Sequence, residues 1–564
     1  MRRHISIALF VLLCSIIISN AATRRVPQDY SKIQLAINAA ANGDTVVISE
    51  GTYKENLVLN KKITLAGLYL LDKDTSHISK TIIDGSAPTN PDSGSVIAVG
   101  SSTDSTTVIT GLTITKGTGT KHANTFYGVS IVTGGGIDVN SGGATIKNNI
   151  IRGNTIIIFP PYTEAYGGGI SFLNIDWPVP NKYSIIESNL VSENNLAGGI
   201  NAAGGIEFWS VDGRIVNNTI LKNNSYSVGG VEAGNTGGYG LKTVTIQGNL
   251  IRENIASAFA GGISISGKGS SGTINNNMIV NNKANQIGGM FIHDSCYAVI
   301  DGNYVSGNIA LNGNNGGIYF ERNQKYCIVQ NNIVRNNNGC GIGTNMNSVA
   351  LIINNTVVGN SSYGIIAYTG SYASAMNNIV RGNTGAAFAG SIYSSSYFTL
   401  DPQFVTNDTL YHLTDVSQCI GNGTTSAVLG GLTLNAPEWD YFNTLRPRAA
   451  GTKPDIGAVE HDLPSVIGSV INIADMPALF CLEQNYPNPF NPSTTIRYAL
   501  PASAQVKLIV YDLIGREIAI LVNEEQTAGW KEVQWNAGSI SSSIYFYKLF
   551  AGNFSDAKKM SLIR

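Results

Sequence analysis

Between about residues 130 and 385 the apolar residues come in short runs of two to five, broken by small and polar residues. No apolar face recurs at helical spacing over ten or more positions. Two phrases repeat. One is Gly-Gly-aliphatic, as in Gly135-Gly136-Ile137, Gly204-Gly205-Ile206, Gly229-Gly230-Val231 and Gly316-Gly317-Ile318. The other places an Asn pair before two aliphatic or Thr-aliphatic residues, as in Asn148-Asn149-Ile150-Ile151, Asn217-Asn218-Thr219-Ile220 and Asn331-Asn332-Ile333-Val334. The second Asn of each pair, or the Asn of a Ser-Asn or Gly-Asn substitute, falls at Asn149, Asn189, Asn218, Asn249, Asn277, Asn303, Asn332, Asn355 and Asn378. The interval shrinks from 40 residues to 23. Each unit reads as three short strands, for example Ile137-Asp138-Val139, Ala144-Thr145-Ile146 and Ile150-Ile151-Arg152. Such units cannot bury an apolar face alone, so they stack. Asn suits the corner because it tolerates left-handed backbone angles, and its amide can bond to the Asn one unit above.

This pattern resembles the right-handed parallel β-helix of pectate-lyase-like proteins, with an asparagine ladder at the second corner. The resemblance covers about residues 30–400, and it speaks to fold and not to activity. Ahead of the regular repeats, Ile33–Ala40 reads as a short amphipathic helix and Gly43–Ile48 as a first strand, similar to the cap that closes such helices. Leu400-Asp401-Pro402-Gln403-Phe404, Tyr411-His412-Leu413 and Asp455-Ile456-Gly457-Ala458-Val459-Glu460 resemble the closing segment of bacterial β-helix surface proteins. From Phe480 the composition shifts to Pro-rich turns, opened by Leu482-Glu483-Gln484-Asn485-Tyr486-Pro487-Asn488-Pro489-Phe490-Asn491-Pro492, and to alternating strands such as Val506–Asp512. That stretch reads as a β-sandwich and strongly resembles the C-terminal sorting domain of type IX secretion cargo. The resemblance implies export across the outer membrane, followed by release or covalent attachment to surface lipopolysaccharide. The expected fold is therefore all-β: a solenoid over residues 22–400, its closing segment over 401–462, a linker over 463–479 and a small sandwich over 480–564.

Composition narrows the picture. The 564 residues include 63 Gly and 60 Asn, and only 13% are charged although 43% are hydrophobic. That excludes coiled coils and disordered chains. A formal charge of −1 gives no field to draw nucleic acid. Arg2 and Arg3, the apolar run Ile5–Ile18 and Ser19-Asn20-Ala21 read as a signal peptide over residues 1–21. No further stretch is apolar enough to span a bilayer, so the mature chain is expected without a transmembrane segment and as a monomer. Five of the six Cys lie beyond residue 21, none in a C-x-x-C pair. They read as buried thiols, with a Cys296–Cys327 disulfide as the alternative.

Side chains alternate across a strand, so the residue after the first aliphatic of each Gly-Gly strand points outward. That position holds Asp138, Ser171, Glu207, Glu232, Ser264, Phe291 and Tyr319. The next outward position holds Asn140, Leu173, Trp209, Gly234, Ser266, His293 and Glu321. Glu207 and Glu232 become neighbours, with Trp209 beside the first. Carboxylates around an aromatic plate suit a sugar. The same pair, with Asp138, is the candidate catalytic set for a polysaccharide lyase or glycoside hydrolase. It could equally hold Ca²⁺ or be scattered acids on an open face. Trp209, Phe291, Tyr319, His293 and Glu321 are the candidate binding residues, and no metal ligands are assigned. Related lyases place a Lys or Arg on this face; here the nearest are Arg322 and Lys325, in the following loop. Aromatic-rich insertions at Ile156–Tyr166 and Phe172–Tyr183, with Trp177, either wall a groove or pack over the flank. The expected partners are extracellular polysaccharide and the type IX machinery.

Overall fold

The computed structural model describes residues 21–122, 130–174, 182–235, 242–313, 315–323, 326–448, 452–463, 480–500, 504–526, 529–538, 540–552 and 554–563. The signal peptide, apart from Ala21, and the linker, apart from residue 463, lie outside them.

Three long parallel sheets wind through the repeats. A middle wall of 14 strands runs from Thr23–Val26 to Ile392–Ser395. An Asn wall of 12 runs from Gly51–Lys54 to Ile379–Arg381, and a Gly-Gly wall of 12 runs from Leu57–Leu59 to Phe388–Gly390. Within one coil the chain passes from the Gly-Gly wall (Ile206–Trp209) to the middle wall (Gly213–Val216) and then to the Asn wall (Thr219–Leu221). The next coil repeats this with every partner in register, Ile206 on Val231, Ile215 on Ile246 and Ile220 on Ile251. Those inward residues have no exposed surface and form one continuous core. Each fully buried aliphatic side chain contributes roughly 1.5–3 kcal/mol.

The corners explain the repeated phrases. The first Asn of a pair takes the left-handed conformation, with φ of 56° at Asn217 and 55° at Asn276. The second turns its amide inward and bonds along the stack, Asn218 to Asn249 at 3.0 Å and Asn249 to Asn277 at 2.9 Å. A second ladder, which the sequence reading missed, stands five residues later and caps the far edge of the Asn wall. Asn194 donates to Asn223 at 2.9 Å, and Asn223 to Asn254 at 3.0 Å. At the Gly-Gly corner successive coils approach so closely that a Cβ on Gly205 would lie 2.5 Å from the carbonyl of Gly230. Only glycine stacks there without displacing the neighbour.

The helix expected at Ile33–Ala40 spans Ile33–Ala39 and buries Ile33, Ala36 and Ile37 against the first coil. Residues 401–448 and 452–462 run along the outside of the solenoid, where Leu434 packs on Leu351, Ile353 and Met376. The outer Asn residues of the corner hold this segment by its backbone: Asn331 donates to Trp439, Asn354 to Asp455 and Asn377 to Thr424. Arg446, fully enclosed, donates to the carbonyls of Asp455 and Ala458 and pairs with Glu460 at 3.1 Å. The five described Cys are free thiols, so the Cys296–Cys327 disulfide does not form.

The C-terminal module is two antiparallel sheets of three and four strands around Tyr498, Tyr547, Trp535 and Phe490. Its Pro-rich opening is tied down through Tyr547, whose hydroxyl donates to the Glu483 carbonyl and accepts from the Asn485 N–H, each at 2.7 Å. Among the described residues no helix is long and apolar enough to cross a membrane.

Candidate functional site

The Gly-Gly wall places the expected residues in the expected columns. Glu207 pairs with Glu232 across adjacent coils and Trp209 with Gly234, while Asp138 pairs with Ser171 and Ser171 with Glu207. Ser171 thus separates Asp138 from the two glutamates. Asp138 is occupied elsewhere: its carboxylate accepts from the Thr133 hydroxyl at 2.7 Å and lies 3.3 Å from His122 Nε2. It is no third member of the pair.

The first outward column is not an open face. Asp138, Ser171, Glu207, Ser264, Phe291 and Tyr319 are all buried, and Glu207 has no exposed surface at all. Phe291 and Tyr319 were expected to stand free; they sit instead in a satellite core with Val228, Ala260 and Ile287, packed by Tyr368. Those three residues precede successive Gly-Gly corners and fold back over the column. Near Asp138 the cover is a five-stranded sheet that includes Gly119–His122 and Ile131–Thr133.

Glu207 Oε2 accepts from the Ala203 N–H at 3.1 Å. Glu207 Oε1, Glu232 Oε2 and Ser171 Oγ are enclosed, and none has a hydrogen-bond partner among the described residues. Glu232 itself keeps a partly exposed edge. Burial raises both carboxyls. Glu207 stands well above the usual carboxylate range because of enclosure and its negative neighbour, and Glu232 is pushed up to about 7 by enclosure. The pair therefore holds a proton near neutrality.

In the second outward column Asn140, Trp209, His293 and Glu321 keep partly exposed side chains, whereas Leu173 and Ser266 are buried. Trp209 is half-buried against Leu173, Ile131 and Tyr166, and its indole lies over the backbone of Gly234. Farther along, His293 stacks on Phe291 with ring centroids 4.0 Å apart. Its Nε2 is 3.2 Å from Ser264 Oγ and its Nδ1 is 2.7 Å from Asp294 Oδ2. Asp294 accepts from Arg322 Nε at 2.6 Å, and Arg322 also pairs with Glu321. Asp294 is held well below the usual carboxylate range, first by the His293 hydrogen bond. The sequence reading chose His293 and Glu321 separately and did not join His293 to Ser264 or Asp294. The adjacency of His293 and Asp294, one coil beyond Ser264, was the available signal. Ser264 is too enclosed to meet a substrate, so this relay fixes the imidazole.

Ca²⁺ takes six to eight oxygens. Ser171, Glu207 and Glu232 bring three orphan oxygens into one column, and no group of three or more acidic, His or Cys ligands forms among the described residues. That donor set does not fit a protein-held calcium. Of the aromatic insertions, Ile156, Ile158 and Tyr162 pack with Val132, Ala165 and Leu196 over the flank; Trp177 and Lys325 lie outside the described residues. A separate open groove of about 500 Å³ lies on the Asn corner, lined by Glu187, Ser188, Asn217 and Thr219. It presents no aromatic plate.

Residues 204–385 match the family described as right handed beta helix region, and residues 484–563 match the secretion system C-terminal sorting domain. No curated protein sequence matches the chain. Among solved structures it is similar to the A-module of a mannuronan C-5 epimerase from Azotobacter vinelandii, with 15% identity over 66% of this chain and 95% of that one, and a TM-score of 0.35. The chain is a right-handed parallel β-helix followed by a type IX sorting domain, exported to the medium or the cell surface.

Proposed function

We propose that this exported β-helix binds extracellular polysaccharide along the second outward column of the Gly-Gly wall. The observation that carries the reading is the seat of Trp209. A Cβ on Gly234 would lie 2.3 Å from its Cζ3 and 2.8 Å from its Cε3, so the absent side chain makes room for the ring. A half-buried indole held against a rigid sheet offers its free edge as an apolar plate at little entropic cost, the property that sugar C–H faces use. Coils rise by roughly 4.8 Å each, which puts His293 about 14 Å from Trp209 along the column and Glu321 one step farther. A chain of several sugars lies along that row, with polar groups at intervals beside it.

A lyase or hydrolase using Glu207, Glu232 and Asp138 is the second reading, favoured by the raised Glu232 carboxyl. The enclosure of Glu207 and the separation of Asp138 weigh against it. Screening the purified protein against neutral, amino and uronic glycans, with binding and product assays in parallel, tests both. Binding without new chain ends supports the first reading, new reducing or unsaturated ends establish the second, and silence in both assays sinks the two together.

A further inference from the structure

We infer that the uncovered half of the Asn corner docks an apolar segment of a partner protein and holds it by its backbone. The outer residues of this corner form one column from Asn148 to Asn377, joined coil to coil by backbone hydrogen bonds. The far half is already occupied. There the closing segment buries Asn331, Asn354 and Asn377 and takes up their amides. Asn377 meets both backbone groups of one residue: its Nδ2 donates to the Thr424 carbonyl and its Oδ1 accepts from the Thr424 N–H, each at 2.8 Å. A side-chain amide thus serves as the complement of a main-chain amide. This cover ends at Gly302, beneath Tyr441.

The same device continues past that edge. Asn217 and Asn276 hold φ at 56° and 55°, against 54°, 53° and 57° at Asn331, Asn354 and Asn377. Both are exposed, and their amides bond to no described residue. An apolar shelf beside the column continues with them. Under the closing segment Ile333 meets Leu410, Ala458 and Val459, while Tyr304 meets Tyr441 and Phe442. In the same row the next coils carry Met278, Leu250, Thr219 and Leu190. Their side chains are half-buried, and no apolar cluster of described residues closes over them. The groove between Glu187 and Thr219 opens at this place. Asn217 and Asn276 stand two coils apart, roughly 10 Å, the reach of three residues of extended chain. A peptide laid along the column therefore offers a backbone group to each amide and sets apolar side chains on Leu250 and Met278. Continuity with the seat of the closing segment favours polypeptide, and a glycan finds no aromatic plate beside it.

The test is fluorescence anisotropy of a labelled synthetic peptide with the sequence of residues 452–463, a stretch that Asn354 already holds by the carbonyls of Asp455 and Gly457. Titration with the exported chain should give saturable binding below about 1 mM. Asn217→Gly combined with Asn276→Gly should weaken it about tenfold. Gly248 and Gly302 already serve in this column at positive φ, so the double variant keeps the corner. Glycan binding at Trp209 should not change in it, so this inference and the glycan role fail separately. Absence of binding at about 1 mM, or equal affinity of wild type and double variant, overturns the inference. Self-association of the chain that the double variant abolishes would assign the surface to a second copy. A glycan whose binding the same variant abolishes would assign it to sugar. Either result overturns the partner-protein reading.

Discussion

Asn249 Oδ1 accepts two hydrogen bonds from Asn218, one from the backbone N–H at 2.8 Å and one from Nδ2 at 3.0 Å. Its own amide donates to the carbonyls of Ile215 and Gln247 and to Asn277. One buried side chain thereby satisfies groups in three coils, where a lone unpaired polar group costs about 1–3 kcal/mol. Asn249→Ala is expected to lower stability by about 3 kcal/mol in urea denaturation. A loss below about 0.5 kcal/mol, the scale of an ordinary surface substitution, would mean the ladder is ornamental.

The second ladder carries the same expectation. Asn223 accepts from Asn194 and donates to Asn254, all three fully enclosed. Asn223→Ala should destabilise about as much as Asn249→Ala, and a clearly smaller effect would assign the corner chiefly to the first ladder.

How much of this was legible follows from where each signal lives. The first ladder and the inward Ile206, Ile215 and Ile220 are local periodicities, and the chain writes them openly. The second ladder is periodic too, but the residue before each Asn varies from Gly153 to Glu193, Lys222 and Glu253, so no dipeptide marks it. Alternation correctly turned Phe291 and Tyr319 outward. It cannot say what lies beyond the sheet, and Val228, Ala260 and Ile287 reach back over them from separate coils. The link from Ser264 through His293 to Asp294 likewise depends on coil register, which emerges only once loop lengths are known.

The Glu207–Glu232 pair sets a direction for stability against pH. Both native carboxyls lie above their unfolded value, so the folded state binds protons more tightly. Their contribution is complete below about pH 4.5 and is lost as pH rises, through about 7 for Glu232 and through its own raised value for Glu207. Asp455 and Glu460, raised to about 6 and about 7, slope the same way. The difference between wild type and a Glu207→Gln, Glu232→Gln double variant isolates the pair. Thermal melts should show the variant gaining on wild type between pH 5 and 8; parallel curves would contradict the enclosure of the pair.

Arg446 pins the closing segment. Arg446→Met removes the donor to two carbonyls and strands the buried Glu460, a loss of about 3–5 kcal/mol. Limited proteolysis should cut residues 401–462 in the variant long before the coils. Equal resistance in the two proteins would show that Leu434 and the outer Asn contacts suffice.

The seat of Trp209 has its own test through Gly234. Gly234→Val forces the ring off the sheet, and glycan binding should fall with it while the fold, read by circular dichroism, survives. Retained binding would place the sugar elsewhere on the wall.

The most direct measurement is calorimetric titration of wild type and Trp209→Ala, side by side, with a glycan that the screen shows to bind. The plate account predicts a loss of about 2 kcal/mol, near thirtyfold in Kd, with an unchanged melting profile. Equal affinity in the two proteins would contradict it.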